Sequence, residues 1–123
     1  VDKTLKLLQL LHKNEGVHVS KTLACSALSN GQFEEWCIAD EQTPDEVPQK
    51  ALDWACGMGG ADCTKIQRKK PCYYPNTLKD HASYAFNNYY QKFKKRGATC
   101  YFSAAAIITD LDPSKFHHLI HMV

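Results

Sequence analysis

What these 123 residues lack narrows their reading first. No stretch is apolar for long enough to cross a bilayer. The leucine-rich run "LKLLQLL" at 5–11 is amphipathic and far short of the ~20 residues that a spanning helix needs. Neither charge sign dominates. Fifteen Lys and Arg against thirteen Asp and Glu leave a formal net charge of +2, too balanced to imply a nucleic-acid partner. No C-x-x-C pair occurs, and the spacing of Cys56 and Cys63 is not that of zinc ligands, so metal and redox readings of the cysteines lose weight. No glutamate follows Glu46, and the aspartates are scattered without an obvious pair. A glycosidase needs two carboxyl groups about 5–9.5 Å apart with their pKa values pushed apart, so hydrolysis is not expected. His117, His118 and His121 have no carboxylate or cysteine within a turn, and neither a metal nor a cofactor is expected there. There is no internal repeat and no low-complexity segment.

Against these absences stand six cysteines, at 25, 37, 56, 63, 72 and 100. At this length a single core is thin, and small secreted domains commonly compensate with disulfides. Basic residues gather in "KIQRKK" (65–70) and "KFKKR" (92–96), the second where the last turn of a helix would complement its dipole. Residues 1–31 differ in character from the rest. "TLACSALSNG" has the small residues of a signal-peptidase site, Ser29 and Gly31 among them, but no long apolar run precedes it. A leader and an N-terminal helix packed on the domain both stay open.

Two helices are predicted. The first runs from about Asp45 to Cys56, with Asp45 as cap, Glu46 in the first turn, Pro48 early enough to be tolerated and Gly57 as a left-handed exit. The second runs from about Thr77 to Lys95, capped by Asn76 and ended by Gly97. At 100° per residue, Leu78, Ala82, Ala85, Phe86, Tyr89 and Phe93 share one apolar stripe. Tyr84 lies off that stripe, with Asp80, Asn88 and Gln91 at helical spacing. "TCYF" and "AAIITD" after Gly97 are β-prone and short enough to pair as a hairpin or a small sheet edge. The intervening "GMGGADCTKIQRKKPCYYPN" reads as loop.

These features together resemble the plant family 43 carbohydrate-binding module, also called the X-eight domain. The resemblance rests on "WC" (36–37), "ALDWACGMGGADC" (51–63), "PCYYPNT" (71–77), "HASYAFNNYYQ" (81–91), "TCYFSAAAIIT" (99–109) and "DPS" (112–114). It implies an α+β fold of two helices packed on a small antiparallel sheet, stapled by disulfides. It divides the chain into residues 1–34, a leader or extension outside the match, a module at 35–114 and an atypical tail at 115–123. It also implies that Cys37 pairs with Cys100 and Cys63 with Cys72, the two ends of "CGMGGADC" going to different partners across a glycine turn. Cys56 is then left without the C-terminal cysteine that the family supplies, and two outcomes stay open: Cys25 substitutes, or Cys56 is free and sheltered by Trp54.

Family members are extracellular plant proteins that bind β-1,3-glucan (callose), some at the cell wall, the plasma-membrane surface or plasmodesmata. A non-catalytic, monomeric glucan binder is therefore expected, with a disulfide-stapled protein-interaction or defence module as the alternative. A glucan binder needs aromatic faces off the core stripe and polar neighbours for the hydroxyls. Tyr84 with Asp80, Asn88 and Gln91 meets both conditions. Tyr73 and Tyr74, in a loop fixed by Cys72 and Pro75, meet the first. Trp54, Phe86, Tyr89 and Phe93 are assigned to the core, and Trp36 fits both roles.

Overall fold

The computed structural model describes Cys25 and residues 35–113. The histidine-bearing tail at 117–121 and the leader-like "TLACSALSNG", apart from Cys25, lie outside the described residues. In chain order the elements are strand β1 (Trp36–Ala39), helix α1 (Glu46–Cys56), a 3-10 turn (Thr64–Ile66), helix α2 (Leu78–Phe93), a second 3-10 turn (Lys94–Arg96) and strand β2 (Ala106–Thr109). Two helices and a two-stranded antiparallel sheet, with three disulfides, give the α+β class that the sequence implies.

The helix ends depart in detail from expectation. Asp45 precedes α1, but its side chain makes no capping bond. Pro48 is the third helical residue and fully buried, and its missing N–H falls among the donors that a first turn leaves unbonded. Gly57 is not left-handed, at φ −105°; the positive φ comes three residues later, at Gly60 (+84°). The cap of α2 is Thr77 rather than Asn76: its hydroxyl accepts from the Asp80 N–H at 3.1 Å and donates to Asp80 Oδ2 at 2.5 Å. Gly97, at φ +97°, closes the second 3-10 turn, where the sequence places the end.

Of the two outcomes expected for 99–109, the hairpin does not form and "AAIITD" supplies a sheet edge. β2 instead pairs with β1 from the far end of the chain, in the register Trp36↔Thr109 to Ala39↔Ala106. Residues 102–104 are all left-handed, with φ of 51°, 56° and 68°, in a turn closed by Ala105 N–H on Phe102 O (2.9 Å) and Ala106 N–H on Tyr101 O (3.2 Å). Such a conformation costs roughly 1–2 kcal/mol per L-residue. Its return is the ring of Phe102, stacked on Phe86 at 4.1 Å and 11° in the centre of the fold.

β1 is held from both sides. Antiparallel pairing leaves alternate N–H groups pointing away from the partner strand. Those of Cys37 and Ala39 meet α2, where Asn87 Oδ1 accepts at 3.1 Å and Ser83 Oγ at 2.9 Å. Polar side chains of a helix thus take the place of a third strand. The rest of the core is small in volume: among the described residues Phe86 and Trp36 are its buried aromatics, set among alanines and cysteines.

The disulfides compensate for that thin core, with one expected pairing upheld. Cys37 and Cys100 are bonded, Cα to Cα 5.7 Å. Cys63 is not paired with Cys72, and Cys56 is neither free nor joined to Cys25. Cys56 bonds Cys63 (Cα to Cα 5.6 Å), and Cys25 bonds Cys72 (5.7 Å). The turn after α1 is tighter than the sequence reading allowed. Gly59 N–H reaches Trp54 O at 2.8 Å and Ala61 N–H reaches Ala55 O at 2.9 Å, folding residue 63 back beside residue 56. Cys63 and Cys72 do share one buried cluster, but each sulfur has another partner there.

Candidate functional site

Helix α2 has a third side, covered neither by β1 nor by the apolar stripe. At 100° per residue, His81, Tyr84 and Asn88 fall together on it, spanning about 10 Å of helix. Two parts of the loop that precedes α2 in sequence fold against it. At one end the Nε2–H of His81 donates to Tyr73 O at 2.7 Å; a carbonyl only accepts, so this nitrogen carries the proton. The Tyr73 ring lies 5.5 Å from that of His81 and meets Tyr74 edge-on at 5.0 Å. Tyr74 is 59% exposed, and the Tyr74–Pro75 peptide is cis.

At the other end, Asn88 Oδ1 accepts the Asp62 N–H at 2.8 Å and fixes the loop that follows Gly60. Asp62 Oδ1 in turn accepts from the Thr64 hydroxyl (2.7 Å) and N–H (3.0 Å). Those two donors hold its carboxyl below the ordinary range, helped by Lys92 and Lys65 nearby. Tyr84 lies between the two ends, half-buried against the cluster that contains Ala85, Ile66 and the Cys25–Cys72 bridge. Burial pushes its phenol up, and the charge of Asp62 adds to the effect.

Of the residues singled out from sequence, Tyr73, Tyr74, Tyr84 and Asn88 therefore line one strip. Asp80 sits at its helical start, in the Thr77 cap. Gln91 does not join them: its amide N–H groups reach Glu35 O (2.7 Å) and Asn87 Oδ1 (3.0 Å), on the β1 side. Asp62 and Thr64 were missed by sequence reasoning. A carboxylate two residues ahead of a threonine, in a loop that must return to a helix, was the available signal.

The aromatic residues assigned to the core separate as well. Phe86 is buried, and Tyr89 and Phe93 are partly so. Trp36 is 2% exposed and belongs to the core. Trp54 is 44% exposed, and its ring meets those of Tyr89 (5.3 Å) and Phe102 (6.2 Å) edge-on. On the α1 wheel it sits at the margin of the buried stripe beside Val47, which the wheel alone reveals.

Comparison with known proteins agrees with this architecture. The family profile described as the X8 domain matches residues 35–107. Glucan endo-1,3-beta-glucosidase 4 of Arabidopsis thaliana is 49% identical over 89 residues, covering 72% of this chain and 17% of that protein. Plasmodesmata callose-binding protein 5 of the same plant is 44% identical over 84 residues, 68% of this chain and 47% of that protein. Plasmodesmata callose-binding protein 4 is 49% identical over 79 residues, 64% of this chain and 35% of that protein. The chain thus spans less than half the length of each of these relatives. No solved structure matches. The matched segment runs from the residue before β1 into β2, taking in both helices, the Cys37–Cys100 bridge and the strip along α2: this chain belongs to the X8 domain family.

Proposed function

We propose that this X8 domain binds β-1,3-glucan and does not cleave it, acting as a monomer outside the cell, at the wall or plasma-membrane surface. The observation that carries the reading is the strip along α2. It offers exposed and half-buried tyrosine rings at Tyr74, Tyr73 and Tyr84, interleaved with polar groups at Asp62, Asn88 and Asp80. A tyrosine presents a flat apolar face and a hydroxyl, so it lies against a sugar ring while its neighbours meet the hydroxyls. The strip is also longer than one ring, as a polymer ligand requires. The names of the callose-binding relatives and the three disulfides support the ligand and the oxidising compartment. We place the binding unit at 35–114, with 1–34 as an extension that the Cys25–Cys72 bridge ties to it and 115–123 as a tail. No cofactor or metal is required for such binding.

Retention on insoluble β-1,3-glucan tests this reading. Tyr74→Ala should weaken retention by about 1 kcal/mol, roughly fivefold, at unchanged melting temperature. Tyr84→Phe should separate the hydroxyl from the packing that Tyr84→Ala would also remove. Wild-type protein that is not retained, or that releases reducing sugar from the polymer, refutes it, and the first result favours the protein-interaction reading.

A further inference from the structure

Charge is segregated within the described module. Between residues 35 and 62 there are seven acidic residues and one basic, Lys50; between 65 and 96 there are nine basic residues and one acidic, Asp80. Part of the basic half is drawn together in space as well as in sequence. Lys65, in the 64–66 turn, and Lys92, near the end of α2, both act on Asp62, and Lys92 Nζ bonds Gly60 O at 2.9 Å. The loop 65–70 and the stretch 92–96 thus start from two lysines that meet at Asp62.

The loop is built to hold its charges outward. Ile66 is buried beneath it, and Cys72 N–H closes it on Lys65 O at 2.8 Å. Lys70 N–H bonds Gln67 O at 3.0 Å, and Lys69 is kept left-handed at φ +69°. Arg68, Lys69, Lys70, Lys95 and Arg96 are exposed, and no carboxylate among the described residues pairs with them. A fixed turn spends less ordering entropy on binding than a mobile one.

We propose that this basic surface binds a carboxylated polysaccharide, a polymer of uronic acid, beside the neutral glucan held on the α2 strip. Charge complementarity selects a polyanion. The three disulfides fit an oxidising compartment, away from the cytoplasmic leaflet where anionic lipid is concentrated, and Ile66, the one apolar residue within 65–70 and 94–96, is buried. The wall-facing anion of that chemistry is a uronate carboxylate. The choice of a wall polyanion rests on the extracellular reading proposed above, while the charge map itself does not depend on glucan binding by the α2 strip.

Affinity electrophoresis of the full chain through gels containing unesterified polygalacturonate tests it, with fully methyl-esterified polygalacturonate as the uncharged control. Retardation is expected at about 10 mM salt and should vanish near 1 M, where the screening length falls to about 3 Å. It should be absent with the esterified polymer. The triple variant R68E/K69E/K70E should lose about tenfold or more in apparent affinity while its retention on β-1,3-glucan stays that of the wild type. K95E/R96E serves the same end if the first variant fails to fold, melting temperature being the check. Lack of retardation of the wild type at low salt, equal retardation by the esterified polymer, unchanged binding by a folded charge-reversed variant, or tighter association with phosphatidylserine vesicles than with polygalacturonate would each overturn the proposal.

Discussion

Gly59 offers the sharpest test of how the 56–63 turn is built. A Cβ placed on it would lie 2.7 Å from Trp54 Cζ3 and 2.9 Å from both Trp54 Cε3 and Ala55 Cα. The indole can swing outward, because it is half-exposed, but Ala55 Cα belongs to the helix backbone and is buried. Overpacking of that kind costs about 1–3 kcal/mol, offset by the 0.4–1 kcal/mol that alanine saves in the unfolded chain. Gly59→Ala should therefore destabilise the domain by about 1–2 kcal/mol and lower its melting temperature by roughly 5–15 °C. The Trp54 near-ultraviolet signal should change as its ring leaves Tyr89. Gly97→Ala is the control: φ is +97° with nothing within 4 Å, so only the backbone penalty of about 1 kcal/mol applies and the tryptophan signal should stay. Thermal unfolding followed by circular dichroism reads both. A Gly59→Ala protein that melts with the wild type and keeps its tryptophan signal would refute the argument that space, not backbone angle, requires glycine there.

The helices were legible because their apolar residues recur with the helical period. That signal comes from Ala82, Ala85, Phe86 and Tyr89, and it found the face packed on α1. It was blind to the β1 face. There the helix contributes Ser83 and Asn87, polar residues that a hydropathy pattern places in solvent, although Asn87 is 6% exposed and accepts the Cys37 N–H while Ser83 accepts that of Ala39. Tyr84 was correctly set off the apolar stripe, yet it packs on a second cluster formed by the loop and the Cys25–Cys72 bridge, which no periodicity within α2 encodes.

The strand pairing and two of the three disulfides were hidden from the residue pattern for a related reason, while a small antiparallel sheet and the Cys37–Cys100 bridge were implied by the family resemblance. β1 has four residues, Trp-Cys-Ile-Ala, without alternation, and its partner lies some seventy residues away. "TCYF" has the composition of a strand but leads into the left-handed turn that begins at Phe102, since stacking Phe102 on Phe86 outweighs local propensity. Six cysteines allow fifteen connectivities, and spacing alone does not choose among them. The glycines between Cys56 and Cys63 were taken to separate two sulfurs, whereas the turn they permit unites them. The candidate strip was half legible: its tyrosines and Asn88 stand in the sequence, while Asp62 enters only when its loop docks.

Three further outcomes follow from the same contacts. Thiol counting under denaturing conditions should find no free cysteine, and Cys25→Ser should cost about 4 kcal/mol in the chain-entropy model, since that bridge closes a separation of 47 residues; a melting temperature equal to the wild type's would show the bridge to be dispensable. The phenols of Tyr84 and Tyr90 are raised above their usual 10.0, by burial first, so the folded state keeps protons that the unfolded chain releases. Their contribution to stability is complete below pH 10 and declines as pH rises through the folded values, which urea titrations on both sides of pH 10 should register. The last concerns the polar face of α2. Asn87 Oδ1 accepts both Cys37 N–H and a Gln91 amide N–H, so Asn87→Ala strands a donor in a strand whose residue 37 has no exposed surface. A buried unsatisfied group costs about 1–3 kcal/mol, more than the roughly 1 kcal/mol net value of the bond itself. Amide exchange at Cys37 should accelerate well beyond that at Ile38, whose N–H faces β2, because only the helix-directed donor has lost its acceptor. Equal acceleration at both residues would mean that the mutation loosens the whole strand, and unchanged exchange at Cys37 would mean that α2 does not serve as the third strand.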